Sequence, residues 1–251
     1  MNLGINNRLA LVTGSSRGIG KAIAQELADE GARVVLVARN EAALAEAKAS
    51  LHKSEIHFSV VADLMTTEGI IKLADFIRSI GTLDILVHNL GGSAGVFPFF
   101  SSSDEWMKVW QFNVGLGHEL NRLFLPSMIE QKWGRVVHIT TNATRTFSAY
   151  PAYVAAKCSL DGYIKTMSRE VSRHNVIVSG VSPGMVAVEG RYFYKLRKDN
   201  PEQLNAIFEN HAPMRRLCEP SEVSSVVGFL CSEKASFMAG SIVDIGGGSS
   251  L

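Results

Sequence analysis

The chain has 251 residues, 46% hydrophobic and 20% charged, with 22 glycines. Such a composition builds one domain with a sizeable core and excludes disordered and collagen-like chains. Twenty-five Lys and Arg stand against 24 Asp and Glu, a net charge of +1, so no global field recruits nucleic acid or an anionic membrane.

Met1 to Arg8 carries neither an apolar run nor a small-residue cleavage site. No stretch reaches the roughly 18 uninterrupted apolar residues of a membrane span. Cys158, Cys218 and Cys231 are odd in number and form no CxxC pair, which fits a reducing compartment and supports neither a disulfide framework nor a metal site. The expectation is a complete, cytoplasmic chain.

The first apolar run, Leu9 to Val12, is followed by a glycine-rich turn and a helix whose Ile19, Ile23 and Leu27 share one face, with Gly31 as its C-cap. Further runs follow at Arg33 to Val37, His57 to Val61, Ile85 to Val87, Val136 to Ile139, Val176 to Val181 and Ser241 to Ile245, separated by segments of helical period. Strand then helix, repeated, predicts an α/β domain: a doubly wound, Rossmann-type parallel sheet of about seven strands with helices on both faces. Residues 1–251 read as that single domain, and the strandless stretch from Met185 to Cys218 reads as a helical lid inserted before the last helix and strand.

Thr13-Gly14-Ser15-Ser16-Arg17-Gly18-Ile19-Gly20 lies straight after the first strand and opens into the helix. Glycines there let the backbone approach a pyrophosphate, and the helix N-terminus supplies free N–H groups. A loop so placed lies beside the crevice where doubly wound sheets bind ligands, so Gly14, Ser16, Arg17, Gly18, Ile19 and Gly20 are expected to hold a dinucleotide. The second strand ends Val37-Ala38-Arg39-Asn40 without the acid that would bond a ribose 2′-hydroxyl. Arg39 and Arg17 can instead clamp a 2′-phosphate, which predicts NADP(H) in preference to NAD(H).

Tyr153-Val154-Ala155-Ala156-Lys157 places a phenol and an ammonium one helical turn apart. A nearby cation favours the phenolate, so Tyr153 is expected to exchange a proton with an alcohol or carbonyl oxygen while hydride moves at the attached carbon. A second pair at this spacing, Tyr194 and Lys198, reads as a solvated helix face.

These motifs together resemble the short-chain dehydrogenase/reductase family, nearest its 3-oxoacyl-carrier-protein reductase branch, over nearly the whole chain. The matching segments are Thr13 to Gly20, Ala62-Asp63-Leu64, Asn89-Leu90-Gly91, Asn113-Val114, Tyr153 to Lys157, Pro183-Gly184 and Gly246-Gly247-Gly248. The resemblance implies that Asp63 and Leu64 meet the adenine, and Asn89 and Gly91 the cofactor ribose side. It further implies that Lys157 serves both ribose and tyrosine, Asn113 holds a proton-relay water, and Pro183 and Gly184 border the nicotinamide. A homodimer or homotetramer is implied through the helices bearing Asn113 and Tyr153.

Three positions depart from the family pattern. Its catalytic serine falls within Ile139-Thr140-Thr141-Asn142; counting from the strand selects Thr141, counting back from Tyr153 selects Thr140, and Thr141 is preferred. Val188 replaces a threonine, and His88 stands where asparagine is frequent.

The expected reaction is NADPH-dependent reduction of a carbonyl, with a carrier-bound 3-oxoacyl thioester among the substrates the resemblance implies. Lys132 and Arg173 fall where that branch presents basic residues to an acidic carrier, and Arg191 to Lys198 carries four basic and three aromatic residues in eight. A ketoreductase of a sugar or other small metabolite would share every motif and differ in the lid. A catalytically silent dinucleotide-binding regulator would keep the glycine loop without needing Asn113, Tyr153 and Lys157. Trp106, Trp110 and Phe112 read as core or subunit contact.

Overall fold

The computed structural model describes residues 2–249. In chain order the elements are β1 (Leu9–Thr13), α1 (Gly18–Asp29), β2 (Arg33–Ala38), α2 (Glu41–Ala49), β3 (Phe58–Val61), α3 (Thr67–Ile80), β4 (Ile85–His88) and α4 (Ser103–Trp110). They continue with α5 (Leu116–Glu130), β5 (Gly134–Ile139), the short α6 (Ala143–Thr146), α7 (Pro151–Val171) and β6 (Val176–Pro183). The chain then runs through α8 (Tyr192–Asp199), α9 (Pro201–His211), α10 (Pro220–Leu230) and β7 (Ile242–Ile245).

All seven strands are parallel, in the order β3-β2-β1-β4-β5-β6-β7. The strands are apolar throughout because each pleat face is covered. Ala10, Val12, Val34 and Leu36 pack with Ile23 and Leu27 of α1, Leu44 of α2 and Val223 and Val227 of α10. Leu9, Leu11, Val35 and Val37 pack on the other face with Leu73 of α3, Leu120 and Phe124 of α5 and Leu160 and Ile164 of α7. The sheet order reverses between β1 and β4, which opens a crevice at their carboxyl ends.

The helix-terminus signals resolve with small shifts. The C-cap of α1 is Glu30, and Gly31 follows it at φ +86°, the left-handed backbone glycine adopts without a Cβ clash. The stretch expected to form a lid folds as α8 and α9 around a small core of Leu196, Leu204, Phe208 and Leu217. Trp106 and Trp110 are over a third exposed on α4, so neither is core. Among the described residues no helix is long and apolar enough to cross a membrane, and no cluster of His, Cys, Asp or Glu could hold a metal ion.

His88 and His138 are register partners on β4 and β5, and their rings stack at 4.2 Å with a 16° interplanar angle. Burial pushes His88 down to about 4 and His138 well below the ordinary value of 6.5. Both are therefore neutral in the folded protein where unfolded histidines already bind protons. Stability consequently falls as pH drops from 6.5 toward 4, with His88 alone costing ~2 kcal/mol by about pH 5. Urea unfolding near pH 7.5 and near pH 5 measures it. His88→Asn is expected to shrink the difference, and an unchanged difference would refute this origin.

Candidate active site

The glycine turn is shaped by close approaches. Gly14 and Gly18 have φ of +65° and +58°. A Cβ on Gly14 would come 2.6 Å from the Leu90 side chain, and one on Gly20 would overlap the Gly14 carbonyl. Val37 exchanges bonds with the turn: its carbonyl accepts from Gly14 N at 3.0 Å and its N–H donates to the buried Ser15 Oγ at 3.0 Å. Thr13 Oγ1 accepts from the N–H groups of Asn89 (2.9 Å) and Leu90 (3.2 Å). Asn89 Nδ2 donates to the carbonyls of Thr13 (2.9 Å) and Gly14 (3.2 Å), so this amide's nitrogen is committed to bracing the turn against β4.

The helices that follow β2, β3 and β4 are capped by the side chains of Asn40, Thr66 and Ser102. The first turn of α1, which holds Ile19, has neither a side-chain cap nor an acid. Its N–H groups and dipole therefore remain available to a phosphate. A cradle that any Cβ would fill, opening onto an uncapped helix, fits the pyrophosphate of a dinucleotide. Arg17 is exposed beside Ser16 at this opening. Arg39 is exposed at the end of β2, 3.7 Å from the Asp63 carboxylate at the end of β3, where Leu64 is buried. Val188 lies over α1: a Cβ on Gly18 would stand 2.7 Å from its Cγ1.

A second constellation forms at the ends of β4 and β5. Asn113 sits in a π-helical turn, Gln111–Gly115, between α4 and α5, a local irregularity frequent at functional sites. Its amide donates to the carbonyls of Gly92 and Val109, both at 2.8 Å, and accepts from Gly92 N at 3.0 Å. Lys157 is buried and donates to the Ile139 carbonyl at 2.7 Å. Gly91 lies between them: a Cβ there would approach Asn113 Oδ1 at 2.8 Å and Lys157 Nζ at 3.0 Å.

Tyr153 lies one turn before Lys157 on α7, with Nζ 5.9 Å from its ring centroid. This lysine does not lower the phenol, contrary to expectation. Burial holds Tyr153 above its ordinary value, opposed by the Thr141 hydroxyl, and the ammonium is turned to Ile139 instead. Burial lowers Lys157 to about 8, opposed by the Asp161 carboxylate.

Thr140 and Thr141 meet different residues of α7. The Thr141 hydroxyl faces the Tyr153 phenol and accepts from Ala143 N at 3.2 Å. Thr140 is buried, and its hydroxyl is directed to the Asp161 carboxyl rather than to Tyr153. Pro183 and Gly184 end β6 beside this group; the Pro183 carbonyl accepts from Asn142 N, and Gly184 N donates to the Ile245 carbonyl, both at 3.0 Å.

Other expected residues lie elsewhere. Lys132 precedes β5 and Arg173 precedes β6, so both stand at the amino edge of the sheet, opposite the crevice. Tyr194 stacks with Arg197 (5.0 Å), which pairs with Glu219 at 3.2 Å, and the second Tyr–Lys pair lies on α8. Sequence reasoning missed the Ile139 and Gly92 carbonyls, which carry no side-chain signal. It also missed Ser15, whose hydroxyl ties the turn to β2.

The chain is similar to known proteins over nearly its whole length. A sequence model described as short chain dehydrogenase matches residues 8–197. The chain is 31% identical to the 3-oxoacyl-(acyl-carrier-protein) reductase FabG of Aquifex aeolicus, covering 99% of both proteins. It is similar to the solved L-sorbose reductase of Gluconobacter frateurii complexed with NADPH and L-sorbose, with TM-score 0.91, 33% identity and coverage of 100% and 99%. It is also similar to a 7α-hydroxysteroid dehydrogenase complexed with NADH and 7-oxo glycochenodeoxycholic acid, with TM-score 0.89, 28% identity and coverage of 99% and 96%.

Proposed function

The chain belongs to the short chain dehydrogenase family and is a nicotinamide-dependent oxidoreductase of a carbonyl or alcohol, and on that premise we propose that it is an NADPH-dependent carbonyl reductase whose catalytic group is Asn113, Thr141, Tyr153 and Lys157. The observation that carries this reading is the convergence of those four side chains around Gly91 and Tyr153, beside the uncapped glycine cradle. A silent dinucleotide-binding regulator would have no use for them.

Gly14, Ser16, Gly18, Ile19 and Gly20 would hold the pyrophosphate. Asp63 and Leu64 would meet the adenine, Asn89, Gly91 and Lys157 the ribose side, and Pro183 and Gly184 the nicotinamide. When bound, the nicotinamide supplies hydride to the carbonyl carbon. Tyr153 gives its proton to the carbonyl oxygen and completes the alcohol; in the reverse direction it takes that proton. Thr141 donates a hydrogen bond to the same oxygen, and Asn113 holds a proton-relay water.

Arg17 and Arg39 are assigned to the 2′-phosphate, supported by their exposure at the ends of the turn and of β2 and by Ala38, where an acid would serve NAD. Arg39 would exchange Asp63 for that phosphate. NADPH is therefore expected to bind more tightly than NADH, and Arg39→Asp to reverse the order by losing roughly 10–100-fold in NADPH affinity. Fluorescence titration with both nucleotides checks it; equal or tighter NADH binding by the unmutated protein contradicts the two-arginine clamp.

The substrate is proposed as a 3-oxoacyl thioester or another small ketone. Lys132 and Arg173 at the opposite edge weigh against their receiving a carrier at this crevice, and the likeness to L-sorbose reductase favours a free ketone. Three free cysteines support a cytoplasmic setting. The face of α4 that exposes Trp106, Met107 and Trp110 supports a homodimer or homotetramer. NADPH consumption across acyl thioesters, ketoses and cyclic ketones tests the reading, and no consumption with any of them contradicts it.

A further inference from the structure

Three segments rise at the crevice edge: residues 91–102 after β4, residues 142–150 before α7, and the start of the lid. Ala94 and Val96 pack onto Ala152, Tyr153 and Ala156, so the first segment leans directly on the turn of α7 that carries the phenol. The next residue, Phe97, meets Tyr150 edge to face, with ring centroids 5.0 Å apart at 62°. Tyr150 stands three residues before Tyr153. Both rings remain about half exposed, at 51% and 47%, although exposed aromatic faces are costly in water.

Between residues 142 and 148 the polar side chains are already engaged inside the protein. Asn142 donates to Ser249 Oγ at 2.8 Å and Thr144 to the Thr141 carbonyl at 3.0 Å. Thr146 and Ser148 bond each other at 2.7 Å. Arg145, the single charged residue between 139 and 156, is held by Ser182 (2.7 Å) and Asp244 (3.1 Å). Residues 89–103 carry no charge at all. What these two segments offer a ligand beside Tyr153 is therefore chiefly ring faces, with no spare charge.

We infer that Phe97 and Tyr150 form the substrate wall beside Tyr153 and select a carbonyl compound with an uncharged hydrocarbon flank, a ring or acyl chain, over a polyhydroxylated or anionic one. This rests on the carbonyl-reductase reading above. A polyhydroxy ketone would leave its hydroxyls unpaired against the rings, and an anion would be desolvated there without a partner. A hydrocarbon flank covers both exposed faces at once.

The test compares 1-decalone, fructose and levulinate as substrates with NADPH. Decalone is expected to show a kcat/KM at least ~10²-fold above the other two. Phe97→Ala and Tyr150→Ala, made separately, should each raise the decalone KM about tenfold with kcat little changed, since the wall binds the flank alike in ground and transition states. Phe97→Leu should restore most of the loss. A higher kcat/KM for fructose or levulinate, or an unchanged decalone KM in both alanine variants, overturns the wall. Calorimetric titration of decalone into the NADPH-loaded protein separates the two readings. Binding that weakens in Phe97→Ala, with no turnover of any ketone, supports the wall while contradicting the reductase. Absence of decalone binding overturns the wall whatever is turned over.

Discussion

Tyr153→Phe is expected to lower turnover on the order of 10³-fold or more while leaving NADPH bound, because it removes one oxygen and nothing that shapes the cradle. The ring keeps its packing against Val96 and Ala94, so the fold has no reason to change. The phenol is held in its protonated form by burial, which suits the donor that a reduction requires. Lys157→Ala should differ in kind, lowering both turnover and nucleotide affinity, since the ammonium lies beside Gly91 and is anchored on Ile139. Stopped-flow absorbance of reduced nicotinamide, with a separate binding titration, distinguishes the two. A Tyr153→Phe protein turning over at near the parental rate would mean that another group supplies the proton.

The architecture was legible because burial on both sheet faces writes itself as uninterrupted apolar runs. All seven runs became strands, with ends shifted by a residue or two. His57, read as the start of a strand, instead lies just outside β3, where its ring accepts from Val34 N at 3.1 Å. The glycine cradle was legible for a steric reason: Gly14 and Gly20 stand where no Cβ fits. Much less visible were features made of backbone. The π-helical turn that aims Asn113 has no residue signature, and the Ile139 carbonyl that holds Lys157 belongs to an ordinary apolar position. The phenol's protonation also escaped the reading, since a Tyr–Lys spacing reveals proximity but not how deeply each group is buried.

The threonine pair shows how a one-residue ambiguity in sequence resolves in three dimensions. Thr140 N still bonds the Val181 carbonyl at 2.7 Å, so the chain keeps its sheet pairing one residue past β5. Beyond it, Thr140 meets Asp161 and Thr141 meets Tyr153, both on α7. Thr141→Val preserves shape and removes the donor, so it should cost on the order of 10²-fold in kcat, as losing a donor to a developing oxyanion does. Thr140→Val should leave kcat close to parental. Thr141→Ser should remain active, since the methyl it loses contributes only stiffness at χ1. Steady-state rates of the three variants decide the assignment. A dead Thr140→Val beside a normal Thr141→Val would transfer the role to the inner hydroxyl, and full activity in both would mean that Tyr153 works without a neighbouring hydroxyl.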